Sequence, residues 1–171
     1  MLLKYADNSY EDEIFYSKEN NVVKRVINYI TGPSKNYVAY TGCVGFPVYD
    51  IDMFDGYFYS TQILYGRCEG DKLFHLVIAF PQYSGLDDKD IMAAAWAVAK
   101  HIGKGFQVVF SVHFDTQSRH IHFVINSVSY VNGEVYKPNT TKLKQYYEVI
   151  RHILPGCPLG MLNYELPDRY R

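Results

Sequence analysis

SRHIHFVINS, residues 118–127, read together with QVVFSVH, residues 107–113, decides how this chain folds. Side chains of a β-strand alternate between the two faces of a sheet, so a strand can be sorted into faces from sequence alone. In the later segment Ile121, Phe123 and Ile125 fall on one face, and His120, His122, Val124 and Asn126 on the other. In the earlier one Val108, Phe110 and Val112 oppose Gln107, Val109, Ser111 and His113. The connection FDTQSR has hairpin length, which makes the two strands antiparallel neighbours. LFHLVIAF, residues 73–80, divides the same way: Phe74, Leu76, Ile78 and Phe80 against His75, Val77 and Ala79, with Pro81 ending the run. All three strands share one apolar face, and every strand histidine lies on the opposite one.

Helical periodicity surrounds these strands. Val23, Val26, Ile27 and Ile30 keep the i, i+3, i+4, i+7 spacing and predict a helix over 21–30, closed by Gly32-Pro33. Residues 87–102 form the clearest helix, with Asp87 or Ser84 as cap, acids in its first turn, and Gly103 and Gly105 after it. A third is expected over 141–154 and a short one over 58–65. From Gly32 to about Tyr57 the sequence shows no sustained period and reads as a long loop. Asn132-Gly133 is a second hairpin signal, and the last fifteen residues read as irregular. The expected class is α+β: an antiparallel sheet of about five strands, helices packed on its apolar face, histidines on the other. No repeat or linker divides the chain, so residues 1–171 are expected to form a single domain.

Composition narrows the function. The net charge is −1, and 48% of the 171 residues are hydrophobic, values that exclude disorder and argue against a broadly basic nucleic-acid sleeve, which works by releasing many counterions. Contact with nucleic acid is therefore expected to be local. The 17 tyrosines offer stacking area with a polar tip, suited to bases or to a core. Cys43, Cys68 and Cys157 are widely spaced, with no CxxC pair, which fits a reducing compartment. The N-terminal stretch is too charged for a signal peptide, and no apolar run reaches bilayer length. A cytoplasmic protein with no membrane partner is expected.

On the polar face, His120 and His122 stand about 6.5 to 7 Å apart along the strand. The hairpin returns His113 beside them. Three imidazoles leave coordination positions open for water and substrate oxygens, the arrangement of a catalytic rather than a sealed metal site. A strand histidine is also commonly a hydrogen-bonded structural residue, so the joint pattern carries the reading, not any one ring. Asp115 has two readings: orienting an imidazole or steering the ion, or forming the turn.

At these residues a family resemblance emerges. H-F-D-T-Q-S-R-H-I-H-F-V-I-N resembles the third motif of plasmid-mobilisation relaxases, members of the HUH endonuclease superfamily. VINYITGPSK is similar to their nucleophile motif, ILYGR followed by LFHLVIAF to their central segments, and INSVSYVNGEVY to the strand and hairpin after the histidines. The segments run in the family's order from residue 24 to about 152.

The resemblance implies a ferredoxin-like palm, with His113, His120 and His122 as ligands to a divalent metal, Mn2+ first and Mg2+ second. It implies Tyr29 as nucleophile, with Tyr37 and Tyr40 in reserve. Lys24, Arg25 and Lys35 lie close to Tyr29 in sequence, and His75 and Asn126 share the histidine face; these five are the expected DNA contacts. The implied reaction is nicking and rejoining of single-stranded DNA at the transfer origin of a plasmid or integrative element, alongside accessory mobilisation proteins and a coupling protein. A rolling-circle replication initiator or HUH transposase would use the same chemistry, and a non-catalytic DNA-binding module would keep only the fold. The chain departs from many relatives in having Ser118 in place of a histidine and Ile78-Ala79 in place of Gln-Ser.

Overall fold

The computed structural model describes residues 1–5, 21–32, 38–81, 84–114, 119–156 and 163–165. Its centre is a sheet with strands β1 (Leu2–Tyr5), β2 (Val38–Val44), β3 (Leu73–Ala79), β4 (Val108–His113), β5 (His120–Asn126) and β6 (Asn163–Glu165). Their spatial order is β2-β4-β5-β3-β1-β6. All neighbours are antiparallel except β1 and β6, which run parallel. The α+β class and the β3, β4 and β5 strands agree with the sequence reading. β1, β2 and β6 lie where no strand was expected. In β2 the apolar alternation is broken by Gly42 and by the polar Thr41 on the opposite face, and a register shift between Val38 and Tyr40 interrupts its pairing with β4.

Four helices complete the described fold: α1 (Val22–Thr31), α2 (Phe54–Leu64), α3 (Asp88–Ile102) and α4 (Thr140–Ile153). α3 is opened by a full capping box, in which the Asp87 side chain accepts from the Asp90 N–H and the Asp90 carboxylate accepts from the Asp87 N–H. Its stripe Ile91, Ala94, Ala95, Val98 and Ile102 is buried with Leu143, Tyr146 and Ile150 of α4 against Phe74, Leu76, Ile78, Val108, Phe110, Val112, Ile121, Phe123 and Ile125. That is the apolar face assigned from strand phase.

The other face is not bare. α1 and α2 pack there through Val23, Val26, Ile27, Ile30, Phe54 and Phe58, seated on Val109 and Val124. The expectation of helices on one face alone is corrected by those two valines, which give the histidine-bearing face an apolar seat of its own. α1 depends on this seat. Its sequence VVKRVINYIT is rich in β-branched residues, which lose side-chain freedom in a helix, and ten residues are too few for an isolated helix to persist in water. Burial of Val23, Ile27 and Ile30, about 1.5–3 kcal/mol each, outweighs that weakness. The Asn21 side chain caps its start by accepting from the Lys24 N–H at 3.0 Å.

The Asn132-Gly133 turn is present, with Gly133 in the left-handed region at φ 73. It brings the chain back alongside itself as the sequence signal implies: the Ser129 N–H donates to the Glu134 carbonyl and the Tyr136 N–H to the Ser127 carbonyl, both at 2.8 Å, around an antiparallel bridge between Val128 and Val135. No helix among the described residues is long and apolar enough to cross a membrane.

Candidate metal and nucleophile site

β4 and β5 pair so that His113 stands directly opposite His120, and Ser111 opposite His122. All three imidazoles emerge on the α1 side of the sheet. The ring centroids of His113 and His120 are 5.1 Å apart, those of His113 and His122 4.6 Å, and those of His120 and His122 4.9 Å. One nitrogen from each ring lies within 4.8 Å of the other two. Ligands at about 2.1 Å around a tetrahedral ion stand roughly 3.4 Å apart, so side-chain rotations of about an ångström would close the group on a divalent cation. His113 and His122 are buried while His120 is partly exposed, leaving one side open.

The donor set fits an ion chemically as well as geometrically. The Nε2 of His113 is 2.8 Å from the carbonyl oxygen of Ile30. A carbonyl only accepts, so Nε2 carries the proton and Nδ1 keeps the lone pair a cation needs. Ile30 lies in the last turn of α1, where carbonyls have no partner within the helix. His113 therefore completes the end of α1 while the helix orients His113. The partial negative charge at this helix terminus also favours a cation. Beneath the rings the Ser111 hydroxyl is fully buried and has no hydrogen-bond partner among the described residues.

Tyr29 precedes Ile30, and the same docking carries it to the histidines. Its ring meets His122 edge-on at 6.1 Å and His75 at 6.5 Å. Tyr40, the reserve nucleophile, lies on the opposite face, where its hydroxyl accepts from the Trp96 indole N–H at 3.1 Å and its ring packs near Phe110. Tyr37, Lys35 and Asp115 lie outside the described residues. Arg25 is beside Tyr59 of α2, where it opposes the upward push that burial gives the Tyr59 phenol. Lys24 is half-buried on α1, about 140° around the helix from Tyr29.

Two expected DNA contacts have other environments. Asn126 is fully buried, and its amide is committed within the protein. Its Nδ2 donates to the Gln107 Oε1 at 2.7 Å and to the Phe58 carbonyl at 3.2 Å, while its Oδ1 accepts from the Gln62 Nε2 at 2.9 Å and the Val128 N–H at 3.2 Å. It ties α2 to the far end of β5 and has no capacity left for DNA. His75 is buried too, with its Nε2 2.8 Å from the Nδ1 of His122. Sequence phase put His75 on the correct face but could not supply its partner, which depends on the β3–β5 register. The Ile30 carbonyl was not foreseen at all, since a backbone oxygen leaves no mark in a side-chain pattern.

Residues 29–154 match the family described as relaxase, MobA/VirD2-like, nuclease domain. The chain belongs to this relaxase family. The match takes in Tyr29, all three candidate ligands and most of the chain. This relaxase domain is also 32% identical over 90 residues to Protein rlx of Staphylococcus aureus. That alignment spans 53% of this chain and 28% of the length of the relative. A solved structure from work on the molecular basis of vancomycin resistance transfer in Staphylococcus aureus superposes with a TM-score of 0.48 at 13% identity, covering 75% of each chain.

Proposed function

We propose that this relaxase domain nicks and rejoins one DNA strand at a transfer origin by tyrosine transesterification. The observation that carries the reading is the position of Tyr29: its ring is 6.1 Å from His122, and the residue after it accepts the hydrogen bond that orients His113. A nucleophile and a ligand set that occupy separate elements are thereby held in one register.

His113, His120 and His122 would hold the divalent ion, with Mn2+ as the first candidate and Mg2+ the second. Bound there, the ion supplies charge neutralisation at the non-bridging phosphate oxygens. The Tyr29 hydroxyl attacks the phosphorus: the bond from Oη to phosphorus forms, the bond from phosphorus to the 3′ oxygen breaks, the phenolic proton departs, and the 3′ oxygen is protonated. The 5′ phosphate stays on Tyr29. Attack by a 3′-OH on that linkage reverses each change and rejoins the strand. Lys24 and Arg25, with Lys35, supply positive charge on the chain around Tyr29, and Asp115 is a candidate to orient an imidazole. The setting proposed is the cytoplasm, with single-stranded DNA as substrate and accessory mobilisation and coupling proteins as partners.

Incubation with an oligonucleotide carrying the nick site and Mn2+ is expected to give an SDS-resistant protein–DNA adduct. Tyr29→Phe is expected to abolish it, and chelation of the ion to reduce it to background. An adduct that persists in Tyr29→Phe and disappears in Tyr37→Phe would move the nucleophile to Tyr37.

Ile78-Ala79, standing where many relatives have Gln-Ser, motivates a second reading, a DNA-binding module without catalysis. Calorimetric titration with Mn2+ separates the two. The relaxase reading expects saturable binding in the wild type that His120→Ala weakens at least tenfold, whereas the binding-module reading expects only weak background in both.

A further inference from the structure

The contact between His75 and His122 differs in kind from that between His113 and Ile30. A carbonyl fixes which nitrogen of its partner bears the proton, but two imidazoles can share a hydrogen in either direction. With 2.8 Å between the His75 Nε2 and the His122 Nδ1, one of these nitrogens carries a hydrogen and the other accepts it. If His75 donates, neutral His122 must bear its own proton on Nε2, and its only lone pair is engaged by His75. If His122 donates, its Nε2 is bare and available to an ion.

We infer that His75 is a positioning residue whose Nε2 accepts the His122 Nδ1–H, setting His122 to present Nε2 to the metal. This rests on the metal-site reading proposed above. The strand register supports it. His122 pairs directly with Val77, so His75, two residues earlier on β3, is the diagonal neighbour of His122 on the same face. The rings lie 5.0 Å apart at 33°. Both are only 6% exposed. His75 then does for His122 what the Ile30 carbonyl does for His113, and the tyrosine ring borders both members of the pair. Partners of this kind typically change metal affinity by about 10–100-fold when removed.

The test is calorimetric titration of the intact chain with Mn2+, in wild type, His75→Phe and His75→Gln, with folding of each checked by circular dichroism. His75→Phe is expected to weaken Mn2+ binding at least tenfold. His75→Gln, whose Oε1 accepts a hydrogen bond but cannot donate one, is expected to recover most of the loss. Independently, 15N-resolved NMR of the Zn2+-loaded wild type is expected to show His122 protonated on Nδ1 and His75 bare at Nε2. Undiminished binding in folded His75→Phe, or a proton on His122 Nε2, overturns the role of His75 and leaves the metal site standing. Absence of binding in the wild type overturns the metal-site reading and this inference with it.

Discussion

Asn126 and His122 project from the same face of one strand, yet the neighbours of each give it a different task. His122 lies among imidazoles beside the end of α1, whereas Asn126 meets α2 and the start of β4. Removal of the Asn126 amide would strand the Val128 N–H and take one partner each from the Phe58 carbonyl, Gln62 and Gln107. A buried group left without a partner loses more than the net worth of a bond, so Asn126→Ala is expected to cost about 2–4 kcal/mol. Urea denaturation measures this. Mn2+ affinity is expected to remain near wild type, because about 13 Å of strand separates the amide from His122. A large loss of affinity at unchanged stability would show that Asn126 belongs to the site. The alternation of HIHFVIN made the face of every one of these residues legible, but apart from the Val128 N–H the hydrogen-bond partners of Asn126 come from segments 19 to 68 residues away and have no signature in the strand itself.

β2 was hidden by the residue that lets it pack. A Cβ placed on Gly42 would sit 2.4 Å from the Phe110 Cζ and 3.2 Å from the Trp96 Cζ2. Phe110 is fully buried between β2 and α3 and cannot give way. Glycine normally weakens a strand, so alanine would ordinarily stabilise it; here overpacking is expected to dominate. Gly42→Ala is predicted to destabilise by about 1–3 kcal/mol, read from the urea midpoint, and an unchanged or raised midpoint would contradict this packing. The long loop expected over this region thus resolves into a strand, a short 3-10 turn at Ile51–Met53 and the start of α2. α1 and α3 show the opposite case. Their apolar stripes and stop signals marked them within one or two residues, because capping and periodicity are local properties.

Across the molecule the two faces of the sheet divide the labour: α3 and α4 bury the larger core, and α1 and α2 pack on the face that carries the histidines. The larger core carries its own pH dependence. Burial, together with Lys104 and Lys142 nearby, holds the His101 imidazole below its ordinary value of 6.5. The unfolded chain then takes up this proton first, so the contribution of neutral His101 is fully present above about pH 6.5 and is lost as pH falls from there toward the depressed folded value. His101→Gln is expected to flatten the fall in melting temperature below pH 6.5 relative to wild type. Parallel melting curves for the two proteins would remove His101 as the cause.

The amino-acid sequence by itself determined the strand faces, the antiparallel β4–β5 pair and hence the meeting of His113, His120 and His122. Those features follow from alternation and from a short connection, both of which act over a few residues. Tertiary structure alone decided that α1 docks on the histidine face, that Tyr29 rather than Tyr40 borders the imidazoles, that His75 engages His122, and that Asn126 is a strut. Each of these depends on burying Val23, Ile27 and Ile30 against Val109 and Val124, or on the register of strands distant in sequence. Apolar burial has no direction of its own, so the periodicity of α1 shows which side is buried but not which face of the sheet receives it.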